Sequence, residues 1–513
     1  MRERARAAIN PGGRNRRVLA AALVLAGAIA IAVSAYFGDS PTGSLRGSDR
    51  PANAGAGDMA DIQANNSPTL ARNPTQAGNL VVANRIDLQR YSCGLHISFD
   101  DGARWSSTPL PIPKGEERKC YAPDVAFAGD GTLYISYVTL RGTGNVPHAA
   151  WVVQSTDGGR TLSAPRRALG PLAFQVRLTA DPGHAGRLYL TWVQASEVGL
   201  YRFTETGNPV RFARSDDGGS TWKRSVDVST PARARVLAPS AAVGPDGEIY
   251  VLYLDLGQDR LDYEGAHGGL GGRPYAGPFE LVMGRSADGG ATWEESSVAR
   301  GLTPIERFLV FLPPSPSVAV DRESGRVYAG FHEQRRGAAD VLVWSLPPDG
   351  SRWQGPTRVN DNPAGDKTSQ YLPKLAVAPD GRLDVLYYDR RADRENVMNE
   401  VSLQSSFDNG QSFTERVRLS SRRFDSRVGF GFDRKLPDLG SRLALLSDES
   451  RALAAWSDTR NGTAVTNKQD IFKAEVAFPA RLSEPVERGL LYGGISLAIL
   501  GLALLASAAR PRR

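Results

Sequence analysis

Acidic and arginine side chains recur two positions apart at the ends of apolar strands. Asp389-Arg390-Arg391 follows Leu386-Tyr387-Tyr388, Asp458-Thr459-Arg460 follows Ala455-Trp456-Ser457, and Glu333-Gln334-Arg335 follows Gly330-Phe331-His332. Arg85-Ile86-Asp87 reverses the order, Arg141 ends another such strand, and Asp255 and Arg260 fall in the comparable region of a further one. A guanidinium is a planar fork that grips a carboxylate through two hydrogen bonds, so several converging arginines suit an acidic ligand such as a carboxylated sugar or peptide. The same spacing has a plain structural use, in which each arginine bridges to a carboxylate of a neighbouring unit. The candidate ligand residues are therefore Arg85, Asp87, Arg141, Asp255, Arg260, Glu333, Arg335, Asp389, Arg391, Asp458 and Arg460.

Other chemistries find less support. His96, His148, His184, His267 and His332 show no ligand spacing, so no metal is expected. Two cysteines without a Cys-x-x-Cys offer nothing to redox or haem chemistry, and no Gly-x-Ser-x-Gly elbow is present. Residues 255–278 form a long loop with Gly265, Gly268, Gly269, Gly271 and Gly272, but no strand-to-helix context makes it a phosphate loop. Long loops on rigid scaffolds often carry specificity, and residues 424–439 could overhang the same face. No cofactor is expected.

The elements that position these residues are announced by a repeated box, Ser-x-Asp-x-Gly-x-x-Trp/Phe. It occurs at Ser98/Asp100/Gly102/Trp105, Ser215/Asp217/Gly219/Trp222, Ser286/Asp288/Gly290/Trp293 and Ser406/Asp408/Gly410/Phe413. Ser155/Asp157/Gly159 keeps the polar positions with Leu162 at the aromatic place, and Ser345, Asp349, Gly350 and Trp353 form a copy with disturbed spacing. Chance would supply only about 0.01 full matches in a chain of ordinary composition. Ser and Asp bond nearby backbone and close a turn, Gly supplies positive φ, and the aromatic residue pins the hairpin to its own sheet from the returning strand. The box is thus structural by its chemistry.

The pattern resembles the Asp-box, or BNR repeat, of the sialidase-like β-propeller superfamily, over roughly residues 67–480. The resemblance implies that each box joins the third and fourth strands of a blade, at the outer edge of the face opposite the ligand site. It also implies what a sialidase of this kind needs: three arginines on a substrate carboxylate, a tyrosine nucleophile activated by a glutamate, and an aspartate acid/base. Catalytic members carry an aromatic-Arg-Ile-Pro motif well before the first box. Residues 60–74 contain none, and Asn84-Arg85-Ile86-Asp87 is only a partial likeness. No catalytic residue is assigned.

Box aspartates at 100, 157, 217, 288, 349 and 408 set a period of about 60 residues. Between boxes an apolar strand ends in a Pro-Asp-Gly-like turn and a second strand rich in Tyr, Val and Leu follows. First strands fall near Thr69, Val125, Val176, Ser240, Ser317, Lys374 and Arg442. The expected fold is all-β, a propeller of seven four-stranded blades, with six as the alternative. Residues 470–478 are expected as the outer strand of the boxless last unit.

The ends are different in kind. Residues 1–17 form a basic tail, residues 18–37 an apolar run, residues 489–509 a second apolar run, and residues 510–513 a basic tail. Both runs are about 20 residues, enough to cross a bilayer as helices, and the flanking arginines orient both ends to the cytoplasm. The first run is either an anchor or a signal peptide cleaved near Val33-Ser34-Ala35. Residues 1–17 carry +5 and the last four +3, which leaves −1 for the rest of a chain of net charge +7. The basic balance therefore marks the termini and gives no sign of nucleic-acid binding. Residues 38–66, rich in small and polar residues, read as a flexible linker. Cys93 and Cys120 suit a disulfide in an exported domain, with two free buried thiols as the alternative.

These features together predict an extracytoplasmic propeller held at the cell membrane, in keeping with the high Arg and Ala usage of a bacterial envelope protein. It would bind a glycan or protein ligand on its channel-side face without catalysis. A divergent sialidase-type glycoside hydrolase and an envelope protein–protein scaffold are the alternatives.

Overall fold

The computed structural model describes residues 11–38, 42–56, 58, 62–87, 91–196, 207–259, 277–303, 315–335, 337–429, 439–479 and 484–509. Seven antiparallel sheets follow one another along the chain, and each inner strand packs against the next until the seventh meets the first. The seven-blade count is the observed one. The inner strands are Asn65–Arg72, Cys120–Phe127, Ala173–Ala180, Val236–Val243, Ser317–Val320, Gln370–Val377 and Ala444–Ser447. Their partners, the second strands, include Leu80–Ile86, Leu133–Arg141, Ile249–Asp255, Val327–Glu333, Leu383–Asp389 and Arg451–Asp458. These are buried almost end to end, which explains their continuous runs of Val, Leu and Tyr.

The last blade corrects two sequence expectations. Strand Asp470–Ala477 is its third strand, and the outer edge is supplied from the other end of the chain. Ser44–Leu45 and Arg50–Pro51 pair with that strand, in the register Ser44 opposite Ala477 and Arg50 opposite Lys473. Much of the stretch expected to be linker is thus part of the propeller. Its residues are small and polar because a two-residue edge strand needs backbone pairing and little side-chain burial. Asn53 strengthens the closure, donating to Asp470 at 3.0 Å and accepting the Ile471 N–H at 2.8 Å.

The boxes close their turns in one way. In each of five, the serine Oγ donates to the aspartate at 2.7–2.9 Å and accepts the glycine N–H at 2.8–2.9 Å. Ser155/Asp157/Gly159 belongs to this set despite lacking the aromatic residue. A further position had no place in the motif as read: Thr161, Thr221, Thr292 and Ser412 donate their hydroxyls to the box aspartates. The disturbed copy differs, since Ser345 stays in the ladder opposite Gln354 while Asp349 caps Ser351 at 3.0 Å.

The aromatic places of the box need correction in both position and role. Trp105, Trp222, Trp293 and Phe413 lie in the connections that lead to the fourth strands, outside the ladders and half-buried. Each packs into the seam between its own blade and the preceding one, so it does not pin its own sheet alone. Trp293 meets Phe212 of the third blade edge-on, with ring centroids 5.1 Å apart. Trp222 joins the apolar cluster shared by the second and third blades, and Phe413 the one shared by the fifth and sixth. Trp105 packs on Ala52, Val82, Ala444, Ala455 and Ile471, where the first blade meets the seventh. A large flat ring just before a short outer strand can reach past its own sheet to exclude water from the seam.

Three of the box glycines also seat a blade on the one before it. A Cβ on Gly159 would meet Ile97, one on Gly219 would meet Val152, and one on Gly290 would fall inside the Phe212 ring. With φ of +101°, +81° and +92°, these positions need glycine twice over. Gly410 differs from them, because a Cβ there would make only ordinary contact with Tyr328 at 3.5 Å. Its φ of +81° is then the reason for glycine. A disulfide joins Cys93, on the third strand of the first blade, to Cys120 on the inner strand of the second.

Helices Pro11–Gly38 and Glu484–Ala509 form a second compact unit. Gly27 lies against Gly494 and Ala498, and Gly501 against Ala20 and Val24, so small residues bring the two backbones close. Among the described residues one helix is long and apolar enough to span a membrane, Gly489–Ser507; the N-terminal apolar stretch, Val18–Val33, is shorter than expected from the sequence.

Candidate functional site

Antiparallel pairing sends successive strand ends to opposite faces. The boxes end third strands and share a face with the ends of the inner strands; the loops after second strands open on the other face. Arg85, Asp87, Arg141, Asp255, Glu333, Arg335, Asp389, Arg391, Asp458 and Arg460 all lie at that channel-side face. Arg260 lies outside the described residues, as do residues 260–276 of the glycine-rich loop and residues 430–438 of the other long segment.

The structure supplies a local reason for the two-residue spacing. Asp389 accepts the Arg391 N–H at 3.0 Å and the same residue's Nε at 2.6 Å. Asp458 accepts the Arg460 N–H at 2.9 Å and that residue's Nη2 at 2.5 Å, and Asp255 accepts the Gly257 N–H at 2.9 Å. The acid at the strand end makes an Asx turn, and the arginine two residues on neutralises it.

Second partners then tie these loops outward. Arg391 reaches Asp361 in the connection from the fifth blade, and Arg460 reaches Asp49 of the closing segment at 2.6 Å. Arg141 pairs with Glu116 at 3.1 Å, Arg335 with Glu333 at 3.3 Å, and Arg85 with Asp87 at 2.7 Å. All five described candidate arginines hold a carboxylate of the protein itself. None of them lines the axial cavity described below.

A Tyr–Glu contact exists elsewhere. Tyr253 donates to Glu295 at 2.5 Å, and Arg233 joins Glu295, Glu280 and Asp255 at 2.9, 3.1 and 2.9 Å. Burial, and then the bond to Glu295, pushes the Tyr253 phenol well above its ordinary range. Glu295 lies on Glu294–Leu302, the outermost strand of the fourth blade, so this cluster fastens the blade edge away from the axis.

The axis carries a constellation that no motif in the sequence announces. A cavity of about 360 Å³ is walled by all seven inner strands or the residues leading into them, and each contributes one equivalent polar residue: Thr69, Asp124, Arg177, Ser240, Ser317, Lys374 and Arg442. The backbone explains the equivalence. In five blades the ladder slips just before this residue, between Asn66 and Thr69, Tyr121 and Asp124, Phe174 and Arg177, Leu237 and Ser240, and Tyr371 and Lys374. At each slip one residue adopts φ between +51° and +59°: Ser67, Ala122, Gln175, Ala238 and Leu372. The result is a bulge that turns the following side chain into the channel. The available signal was proline: Pro68, Pro123, Pro239 and Pro373 precede the channel residue at four of the five slips, and Pro316 precedes Ser317 at the start of its strand. A bulge leaves an N–H out of the ladder, so a residue without one fits there.

Several channel residues also stitch blades together. Asp124 accepts the Leu178 N–H of the third blade at 3.1 Å, and Ser317 accepts that of Leu375 in the sixth at 3.0 Å. Arg442 donates to the carbonyls of Ser67, at 3.0 Å, and Pro123. Arg177 donates to Ser315 Oγ at 3.2 Å. Burial pushes the Asp124 carboxyl up and the Arg177 and Lys374 cations down from their ordinary values. Among the described residues no cluster of His, Cys, Asp and Glu could hold a metal ion.

No protein-family model matches the chain. A sialidase of Micromonospora viridifaciens is 35% identical to it over 116 residues, which are 22% of this chain and only 15% of that protein. Among solved structures, a protein of unknown function from Dyadobacter fermentans aligns over 85% of this chain and all of its own, at 14% identity and a TM-score of 0.47. A Hadza microbial sialidase aligns over 80% of this chain and 75% of its own, at 15% identity and a TM-score of 0.43. A polysaccharide lyase acting on ulvan aligns over 77% of this chain and 92% of its own, at 12% identity and a TM-score of 0.46. The chain is a seven-bladed propeller that is similar to a sialidase over those 116 residues.

Proposed function

We propose that this chain is a membrane-tethered, extracytoplasmic propeller that takes a glycan or protein ligand at its central channel and does not turn it over. The observation that carries the reading is the axial cavity of about 360 Å³, which lies on the half of the inner strands nearer the boxes and whose polar positions vary from blade to blade on a backbone that repeats. Variable side chains on a constant frame are the usual construction of a recognition surface. The tether rests on helix Gly489–Ser507 and on the arginines at both chain ends, which orient the propeller away from the cytoplasm. The absence of turnover rests on the loop arginines, each committed to a carboxylate, and on the Tyr253–Glu295 pair at the blade edge. A hydrolase reading draws on the 116-residue stretch shared with the Micromonospora viridifaciens sialidase.

The test uses the full chain purified in detergent, applied to a glycan array and assayed on a fluorogenic sialoside. Saturable glycan binding without turnover is expected. Turnover abolished by Arg85→Ala or Arg391→Ala would replace this reading with the hydrolase. Neither binding nor turnover would move the function to protein partners, to be sought by pull-down from membranes.

A further inference from the structure

The channel ring carries more positive than negative charge, and its cations are incompletely compensated. Arg177, Lys374 and Arg442 face one acid, Asp124, whose oxygens already accept the N–H groups of Val125 and Leu178. Among the described residues, no carboxylate lies within 4.0 Å of Arg177 or Lys374, and the Lys374 ammonium has no hydrogen-bond partner. Lys374 is nevertheless half-buried, in a cavity bounded by Leu70, Val125, Leu178 and Leu443. A half-buried ammonium that no protein carboxylate meets is left to take an anion from solution. Beside it Ser240 and Ser317 bring hydroxyls to the same cavity. Guanidinium, ammonium and hydroxyl donors around one small polar space form an oxyanion receptor.

We propose that the axial cavity binds an oxyanion, the carboxylate, sulfate or phosphate of a small ligand or glycan terminus, between Lys374, Arg177 and the hydroxyls of Ser240 and Ser317. This deepens the ligand-binding reading above and rests on it, but it assigns recognition to the ring inside the channel and not to the loop arginines. Arg442 contributes its field while its hydrogen bonds hold the first and second blades. Asp124 acts against the ligand and sets the affinity low enough for release. The loss of hydration at Lys374 and Arg177, which lowers both pKa values, is the cost that a bound anion would reverse.

The experiment is isothermal titration of the full chain in detergent with inorganic phosphate, inorganic sulfate and glucuronate. Wild type is expected to bind at least one of them saturably. Lys374→Met should weaken binding by about tenfold or more, Lys374→Arg should restore much of it, and Asp124→Asn should tighten it several-fold. Arg224→Ala, an exposed control, should leave it unchanged. Preference for glucuronate would point to an acidic sugar, and preference for phosphate or sulfate to the free ion or its ester. A thermal melt of ligand-free Lys374→Met should fall no lower than wild type, because the substitution removes an uncompensated charge. No saturable binding of any probe, or binding untouched by Lys374→Met, would overturn the proposal. Glycan-array binding retained without oxyanion binding would sink the ring and leave the ligand-binding reading standing; oxyanion binding with an empty array would keep the ring and replace the glycan by a small anion or an acidic protein group.

Discussion

The box rim and the axial channel are both built by repetition, but they repeat different things. At the rim the side chains recur: serine, aspartate and glycine take the same bonds in five blades. In the channel the backbone recurs, with the same bulge and the same positive φ in five blades, while the side chains that follow run Thr, Asp, Arg, Ser and Lys. Where a side chain makes the turn, its identity is constrained. Where the backbone makes the turn, the next side chain is left to carry chemistry.

The largest test of this contrast is Gly290→Ala. The new Cβ would meet Phe212 of the preceding blade, at a φ of +92° that L-residues rarely adopt. A loss of about 3 kcal/mol or more is expected, against about 0.5 kcal/mol or less for Ser240→Ala in the channel. Thermal and urea denaturation of the two variants would measure both. Equal losses would erase the distinction between rim and channel.

Ser286→Ala sharpens the same comparison at smaller scale. It removes the acceptor of the buried Gly290 N–H at 2.8 Å and the donor to Asp288 at 2.8 Å. An unpaired buried N–H costs about 1–3 kcal/mol. The loss should exceed that of Ser240→Ala, and a smaller value would show that water or Asp288 takes over the turn.

How much of each region could be read in advance follows from this division. The boxes were legible because Ser98, Asp100 and Gly102 are themselves the turn, and the same chemistry recurs at a fixed spacing. Their aromatic residues were legible as members but not in their reach, since a seam such as Phe212–Trp293 joins two repeats and a motif records only one. The acid–x–Arg pairs were legible as a pattern, but their meaning was not, since an Asx turn at Asp389 and a ligand clamp use the same residues. The closing strands at Ser44–Leu45 and Arg50–Pro51 left no mark, because their stability comes from pairing with a segment more than 400 residues away. The channel ring was hidden by its variety. Only the proline before each of five members betrays it, and a proline reads first as a loop signal.

The smallest effect separates rim from channel by the sign of a pH dependence. Asp217, in a box, is held at about 2 by the hydroxyl and N–H of Thr221, below the ordinary value near 3.8. A depressed folded-state pKa adds stability above the unfolded value and loses it as pH falls from near 4 toward 2. Asp217→Asn should therefore be less stable than wild type near neutrality, with the gap closing in acid. Asp124, in the channel, is raised by burial, although Arg177 and Lys374 act in the other direction. Its contribution is greatest below the unfolded pKa and is lost as pH rises through the folded one. Asp124→Asn should thus gain on wild type as pH rises through the acid range, opposite in slope to Asp217→Asn. Melting midpoints of the three proteins between about pH 2 and pH 7 measure this directly. Parallel slopes would mean that rim and channel aspartates feel the same forces, and the division between turn-making and ligand-facing positions would fail.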